Sequence, residues 1–231
     1  MANPLDLEEQ EQLDQLKHFW KQYGNAITWS LIVVLGAFAS WNFYNYWQRS
    51  QAIEAAALYG EVERVSQLPN QPQLERAFLD MKERYPSSIY SQQAGLLVAK
   101  QNFETGNVDS AKSALTWVTQ SSADTGFKSI ARLRLAGVLS EMQDYTGAMK
   151  ILQSSFPADF GALAADRRGD ILMLQNKKPE ALIEFKKAFN LFEERSDYRR
   201  LVEVKLNALG TDPMGTSFDS GDRVSLTEGS K

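Results

Sequence analysis

An all-α chain is predicted, with one N-terminal transmembrane helix followed by a solenoid of paired helices, and three observations carry that prediction. Residues 22–48 contain no Asp, Glu, Lys or Arg, a charge-free run of 27 residues. From residue 51 to about residue 210, apolar side chains recur at helical rather than strand spacing, in segments of about a dozen residues separated by Gly, Asn, Pro or Asp. Within those segments a small residue, followed four positions later by a large apolar one, returns every 33 to 37 residues. A fixed period of this size marks stacked units of paired helices.

The composition removes several classes of function. The 231 residues carry 25 Lys+Arg against 29 Asp+Glu, no Cys and a single His, His18. Without cysteine there is no disulfide framework, zinc ribbon, iron–sulfur cluster or thiol nucleophile. One histidine is too few for a His-based metal site and makes a Ser-His-Asp relay improbable. A formal charge of −4 and a pI near 5.2 argue against nucleic acid, which is bound by basic faces. The length admits one domain of ordinary size and a smaller element beside it. Compartment does not follow from the absence of cysteine, because a cytoplasmic chain and a helix-packed bacterial periplasmic one both fit.

Along the chain, the first element is a lead segment, 1–24, with Asp6, Glu8, Glu9, Glu11 and Asp14 against Lys17 and Lys21. Leu13, Leu16 and Trp20 fall on one stripe at i, i+3 and i+7, so residues 5–21 read as a short amphipathic helix running into the membrane. The span follows, at 25–47. From Ala26 to Trp47, 22 residues at about 1.5 Å each cover roughly 33 Å, close to a bilayer's hydrocarbon thickness. Tyr23 and Trp29 stand at one end and Trp41, Tyr44, Tyr46 and Trp47 at the other. Amphipathic rings collect at the two water–lipid interfaces, so these six are the predicted membrane-interface residues. A buried soluble helix seldom runs this long without a charge. A cleaved signal peptide has a small-x-small site to offer at Ala37-Phe38-Ala39, but its leader would be short and basic, whereas this one is long and acidic. Lys17 and Lys21 before the span, against Arg49 after it, tip the balance towards a cytoplasmic N-terminus with the bulk of the chain outside.

The helical body, 48–209, comes next. Its breakers lie at residues 69–72, 85–88, 105–107, 121–126, 143–144, 156–159 and 176–179, and delimit about eight helices. Taking the small residue of each second helix as reference aligns Ala77, Ala111, Ala148 and Ala181, separated by 34, 37 and 33. Four residues on stand Met81, Leu115, Leu152 and Phe185; twelve before the last three stand Ala99, Ala136 and Gly169. Small residues at these places let paired backbones approach, and the large one fills the groove between pairs. The period is that of tetratricopeptide repeats. Glu141-Met142-Gln143-Asp144-Tyr145-Thr146-Gly147-Ala148-Met149-Lys150-Ile151-Leu152 and Gln175-Asn176-Lys177-Lys178-Pro179-Glu180-Ala181-Leu182-Ile183-Glu184-Phe185 both resemble the turn and second helix of that repeat. The unit at about 58–86 matches least and would serve as a cap. The expected fold is thus a tetratricopeptide-repeat-like α-solenoid behind one transmembrane helix. The Gly-, Ser-, Thr- and Asp-rich tail, 210–231, cannot bury a core and is expected to be disordered.

No chemistry-bearing constellation emerges. Glu8, Glu9, Glu11 and Asp14 sit on the polar face of the lead helix, and Glu193-Glu194 beside Lys186, Lys187 and Arg195 read as a solvated helix face. Asp166 and Asp170 are four apart on one helix face, where like charges cost a few tenths of a kcal/mol, roughly, unless a cation faces them. Arg167 and Arg168 point elsewhere, and a neighbouring repeat offers Arg132 or Arg134. An inter-repeat charge network is the expected role of that pair. No glycine loop is placed to cradle phosphate and no nucleophile elbow is present. No enzyme activity, catalytic residue, cofactor or metal is expected.

The order of lead, span, aromatic cluster and four repeat units resembles the YfgM family, the ancillary subunit of the bacterial SecYEG translocon. Leu16-Lys17-His18-Phe19-Trp20, Ser40-Trp41-Asn42-Phe43-Tyr44-Asn45-Tyr46-Trp47, Leu133-Arg134-Leu135-Ala136 and Asp166-Arg167-Arg168-Gly169-Asp170 carry the resemblance, which covers residues 10–209. It implies a single-pass inner-membrane protein, N-terminus cytoplasmic and repeats periplasmic. Its implied partners are the SecYEG translocon and the membrane-anchored periplasmic chaperone PpiD, and its implied role is the handling of newly exported, unfolded polypeptides.

If the repeats bind polypeptide, the concave side made by the first helices is where they do so. The register places Leu96, Lys100 and Phe103 of the second pair there, Ile130, Leu133 and Ser140 of the third, and Leu163, Asp166, Asp170 and Met173 of the fourth. The expected function is a non-enzymatic helper of protein export. The alternative is a membrane-anchored repeat scaffold for envelope or cell-division proteins, which would bind only folded partners.

Overall fold

The computed structural model of the chain describes residues 7–68 and 71–211. Among the described residues all regular structure is helical: α1 (Leu7–Ser66), α2 (Gln71–Arg84), α3 (Ile89–Glu104), α4 (Val108–Ser121), α5 (Thr125–Glu141), α6 (Tyr145–Leu152), α7 (Ala158–Leu174), α8 (Lys178–Leu191) and α9 (Asp197–Ala208). The chain divides into two compact units, Met1–Glu54 and Ala55–Lys231. The second begins seven residues after the expected start of the repeat domain at 48. Most of the tail, 212–231, lies outside the described residues.

In the first unit, the uncharged stretch forms part of α1 and is long and apolar enough to cross a membrane. Its large side chains Leu31, Ile32, Val33, Val34, Leu35 and Phe38 point outward from the helix axis and are exposed. That is the arrangement a lipid-facing helix requires. Two of its hydroxyls are satisfied within the helix: Thr28 Oγ1 donates to the Gly24 carbonyl at 2.7 Å and Ser40 Oγ to the Gly36 carbonyl at 2.8 Å. Such back-bonding keeps a polar group from facing hydrocarbon unpaired.

The second unit is a stack of helix pairs. Each first helix, α3, α5 and α7, packs on its own second helix, α4, α6 and α8, and α5 packs on both α3 and α7. The final turns of α1 and the helix α2 open the stack, contributing Val62, Val65, Leu74, Phe78 and Met81 to the core. A second apolar cluster, centred on Ala165, Phe185, Phe189, Val202 and Leu206, joins α7, α8 and α9.

The repeat register holds in the packing. Ala111, Ala148 and Ala181 are fully buried, as are their partners Leu115, Leu152 and Phe185. Ala99, Ala136 and Gly169 are buried opposite them. Ala77, in the least typical unit, is only half-buried.

The links inside pairs explain the period. α3, α5 and α7 each end on a left-handed residue, Gly106 at φ 82°, Gln143 at 61° and Asn176 at 59°. In each, the next N–H reaches back to the carbonyl five residues earlier: Asn107 to Asn102, Asp144 to Leu139 and Lys177 to Leu172, at 2.7 to 2.9 Å. This is the Schellman ending, which reverses the chain within three residues and so forces the second helix back along the first. Helix α9 ends identically, on Gly210 at φ 78° with Thr211 donating to Leu206 at 3.0 Å. Gly210 follows Asn176 by 34 residues, so α9 is a first helix of the same kind. The breakers expected from the sequence do not separate it from α8. Glu193 and Glu194, expected on a solvated helix, instead occupy the turn between α8 and α9, because α8 stops at Leu191 and Ser196-Asp197 starts a new helix.

Candidate functional site: the first-helix face

The face built by α3, α5 and α7 is where the expected polypeptide-binding residues fall. Lys100 and Phe103 are exposed near the end of α3, with Lys100 Nζ 3.7 Å from the Glu104 carboxylate one turn on. Ile130, Leu133 and Ser140 of α5 and Leu163, Asp170 and Met173 of α7 are half-buried. Leu96 and Asp166 are buried; Leu96 contributes its side chain to the core rather than to the surface.

Ser140 and Asp170 meet in one cleft of about 360 Å³ between α5 and α7. Glu141, Tyr145, Arg167 and Leu174 line it as well. Leu174 leaves 60% of its surface to solvent, a large apolar side chain held at a helix end. None of these four is among the residues expected on the concave face. Leu174 occupies the same place in its unit as Glu104 and Glu141, and an apolar residue where its counterparts are acidic was the available signal.

Asp166 and Asp170 are held by a cation, and it is Lys205 of α9. Its Nζ stands 2.7 Å from Asp166 Oδ1 and 2.7 Å from Asp170 Oδ1, and 5.2 Å over the Phe185 ring. The neighbouring arginines expected in that role are used elsewhere. Arg132 donates to the Ser155 carbonyl and Arg134 to the Leu96 carbonyl. Arg168 pairs with Glu184 at 2.8 Å, and Arg167 reaches Asp170 only at 3.9 Å. A lysine from the following first helix closes the pair because its long stem can cross from α9 to α7 while its head collects both carboxylates. Burial pushes the Asp166 carboxyl above its ordinary range, and Asp170 adds to this, while Lys205 pulls the other way. The site therefore presents apolar side chains beside charges held in fixed positions.

The predicted interface rings Tyr23, Trp29, Trp41, Tyr44, Tyr46 and Trp47 all project outward from α1.

Comparison with known proteins matches these features. A family model described as a tetratricopeptide repeat-like domain covers residues 17–211, taking in the candidate span as well as the repeats. A protein of Neisseria gonorrhoeae named "Ancillary SecYEG translocon subunit" is 31% identical over 204 residues, 88% of this chain and 98% of that relative. Proteins of the same name from Haemophilus influenzae and Escherichia coli K12 are 26% and 27% identical, covering 98% and 83% of their own lengths. The name describes a translocon component and not a class of enzyme. With a relative above 30% identity matched almost end to end and the repeat model spanning most of the sequence, the chain belongs to the ancillary SecYEG translocon subunit family.

Proposed function

We propose that this protein is a non-enzymatic ancillary subunit of the bacterial export translocon. In this reading α1 spans the inner membrane with its N-terminus in the cytoplasm. The repeats lie in the periplasm and bind the translocon, a membrane-anchored PpiD-like chaperone and emerging unfolded polypeptides. The observation that carries the reading is the extent of the match: 98% of the Neisseria gonorrhoeae relative is covered, so span and repeats correspond together and not the repeats alone. Apolar Phe103, Met173 and Leu174 beside Lys100 and Asp170 support the first-helix face as the surface for extended chain.

The test is purification of the full-length protein in mild detergent, with identification of what accompanies it, and protease protection on spheroplasts. Recovery of SecY with a membrane-anchored periplasmic chaperone, and digestion of the repeats from outside, are the expected results. A protease-inaccessible repeat domain would overturn the proposed orientation, and retention of the translocon by a Phe103→Asp variant that no longer shields a denatured client would separate docking from client binding.

A further inference from the structure

The outer layer of the solenoid is interrupted at one place. Helices α4 and α8 are 14 residues long, whereas α6 has only 8. The cause is local: Pro157 has no N–H to donate and forces Phe156 out of the helical region, so a helix starting at Tyr145 must stop before them. Six missing residues leave a gap of about 9 Å along the helix axis. The shortened end is finished by protein groups: Arg168 Nη1 donates to the Leu152 carbonyl at 3.0 Å and Arg132 Nη1 to the Ser155 carbonyl at 3.1 Å, with the Arg132 guanidinium 5.9 Å from the Phe156 ring centre. The gap is thus a formed notch, of about 420 Å³, with Met149, Leu152, Phe156 and Ala164 at its base and Leu191 and Lys187 on its α8 side.

The chemistry of its rim is specific. Leu191 leaves 53% of its surface uncovered and Ile183 67%. Leu191 and Lys187 line the notch, and Ile183, four residues before Lys187, continues their line along α8 outside it. Arg168 is already neutralised by Glu184. Among the described residues that line the notch, Lys187 is the cation with no carboxylate partner. Apolar side chains on a helix-wide gap flanked by the uncompensated ammonium group of Lys187 call for an occupant that is helical, apolar on one stripe and acidic beside that stripe.

We propose that this notch is a docking site for an acidic amphipathic helix of a partner protein, separate from the first-helix face. The occupant's apolar residues at i and i+3 or i+4 cover Leu191 and Phe156, and its Asp or Glu side chains face Lys187. The proposal does not depend on the first-helix face binding polypeptide.

A photo-crosslinking residue at Ile183 of the full-length protein, in its own membrane, with sequencing of the segment it captures, tests this. The expected capture is a segment with helically spaced apolar residues flanked by Asp or Glu. Its yield should fall about tenfold or more on Leu191→Asp and on Lys187→Glu, and stay unchanged on Phe103→Asp. Lys187 is exposed, so its reversal leaves folding intact. Absence of capture, captured segments that are basic or lack helical spacing, capture of a second copy of this chain, or yields indifferent to Lys187→Glu would each overturn the proposal.

Discussion

Gly169 on α7 and Phe185 on α8 share one volume. A Cβ placed on Gly169 would stand 2.6 Å from Phe185 Cδ1 and closer still to Cε1. Phe185 is fully buried, so its ring cannot swing into solvent. The expected outcome of Gly169→Ala is a loss of about 1–3 kcal/mol from overpacking, read as a lower midpoint in a thermal or urea melt followed by circular dichroism. Phe185→Leu in the Gly169→Ala background should restore part of it. A Gly169→Ala variant as stable as the parent would show that the pair does not pack as described.

Lys205 holds two carboxylates, so removing it should matter more than removing an ordinary surface lysine. Lys205→Met is expected to cost roughly 1–3 kcal/mol near neutral pH, because Asp166 and Asp170 are left facing each other without a cation. Asp166 is buried and its carboxyl is raised above 3.8. Between that value and the raised one, the folded chain holds a proton that the unfolded chain has released. This group's contribution to stability therefore falls as pH rises through that window. The Lys205→Met penalty should shrink as pH is lowered and Asp166 takes up its proton. A penalty constant across an acid-to-neutral series of melts would contradict the triad.

The link between α5 and α6 carries a glutamine in the left-handed region, at φ 61°. Glycine adopts that conformation without the Cβ clash, so Gln143→Gly should stabilise the chain by about 1 kcal/mol. In a unit of this size that corresponds to roughly 2–4 °C in Tm. Asn176→Gly should gain less, because asparagine tolerates the same region. Equal gains at both positions, or a loss at Gln143, would refute the assignment.

Leu35 lies near the middle of the charge-free part of α1, with its side chain facing outward. An arginine there is expected to cost about 2.5–3.5 kcal/mol of membrane insertion. Carbonate extraction of membranes should release a larger fraction of Leu35→Arg than of the parent. Ile53→Arg, outside the charge-free run, serves as the comparison and should extract like the parent.

The repeat architecture was legible because its determinants are local. Ala111, Ala148 and Ala181 with Leu115, Leu152 and Phe185 repeat a steric requirement that each pair meets on its own, and the turns at residues 105–107, 143–144 and 176–179 announce themselves by composition. Helix α9 was legible in principle: Ser196-Asp197 and Gly210, 34 residues beyond Asn176, carry the same punctuation. The cation opposite Asp166 was not, because Lys205 lies 39 residues away and only the docking of α9 brings it there. The candidate face was legible as a register. Its depth was not: the same period places buried Leu96 and exposed Lys100 on one helix side, and burial depends on how far α5 leans over α3.

The Schellman turn that closes α9 leaves the backbone at Thr211 in the same attitude as at Asn107, Asp144 and Lys177, each of which launches a returning helix. Where a returning helix of the same register would next need a small and a large apolar residue, 34 places beyond Ala181 and Phe185, the chain has Gly215 and Asp219. The turn at Gly210 is therefore built like the junctions inside the pairs. A duplicated cassette of 33 to 37 residues spliced in at that point would inherit a correctly aimed first peptide, and arrays of this kind can lengthen by accretion without redesign of what precedes them.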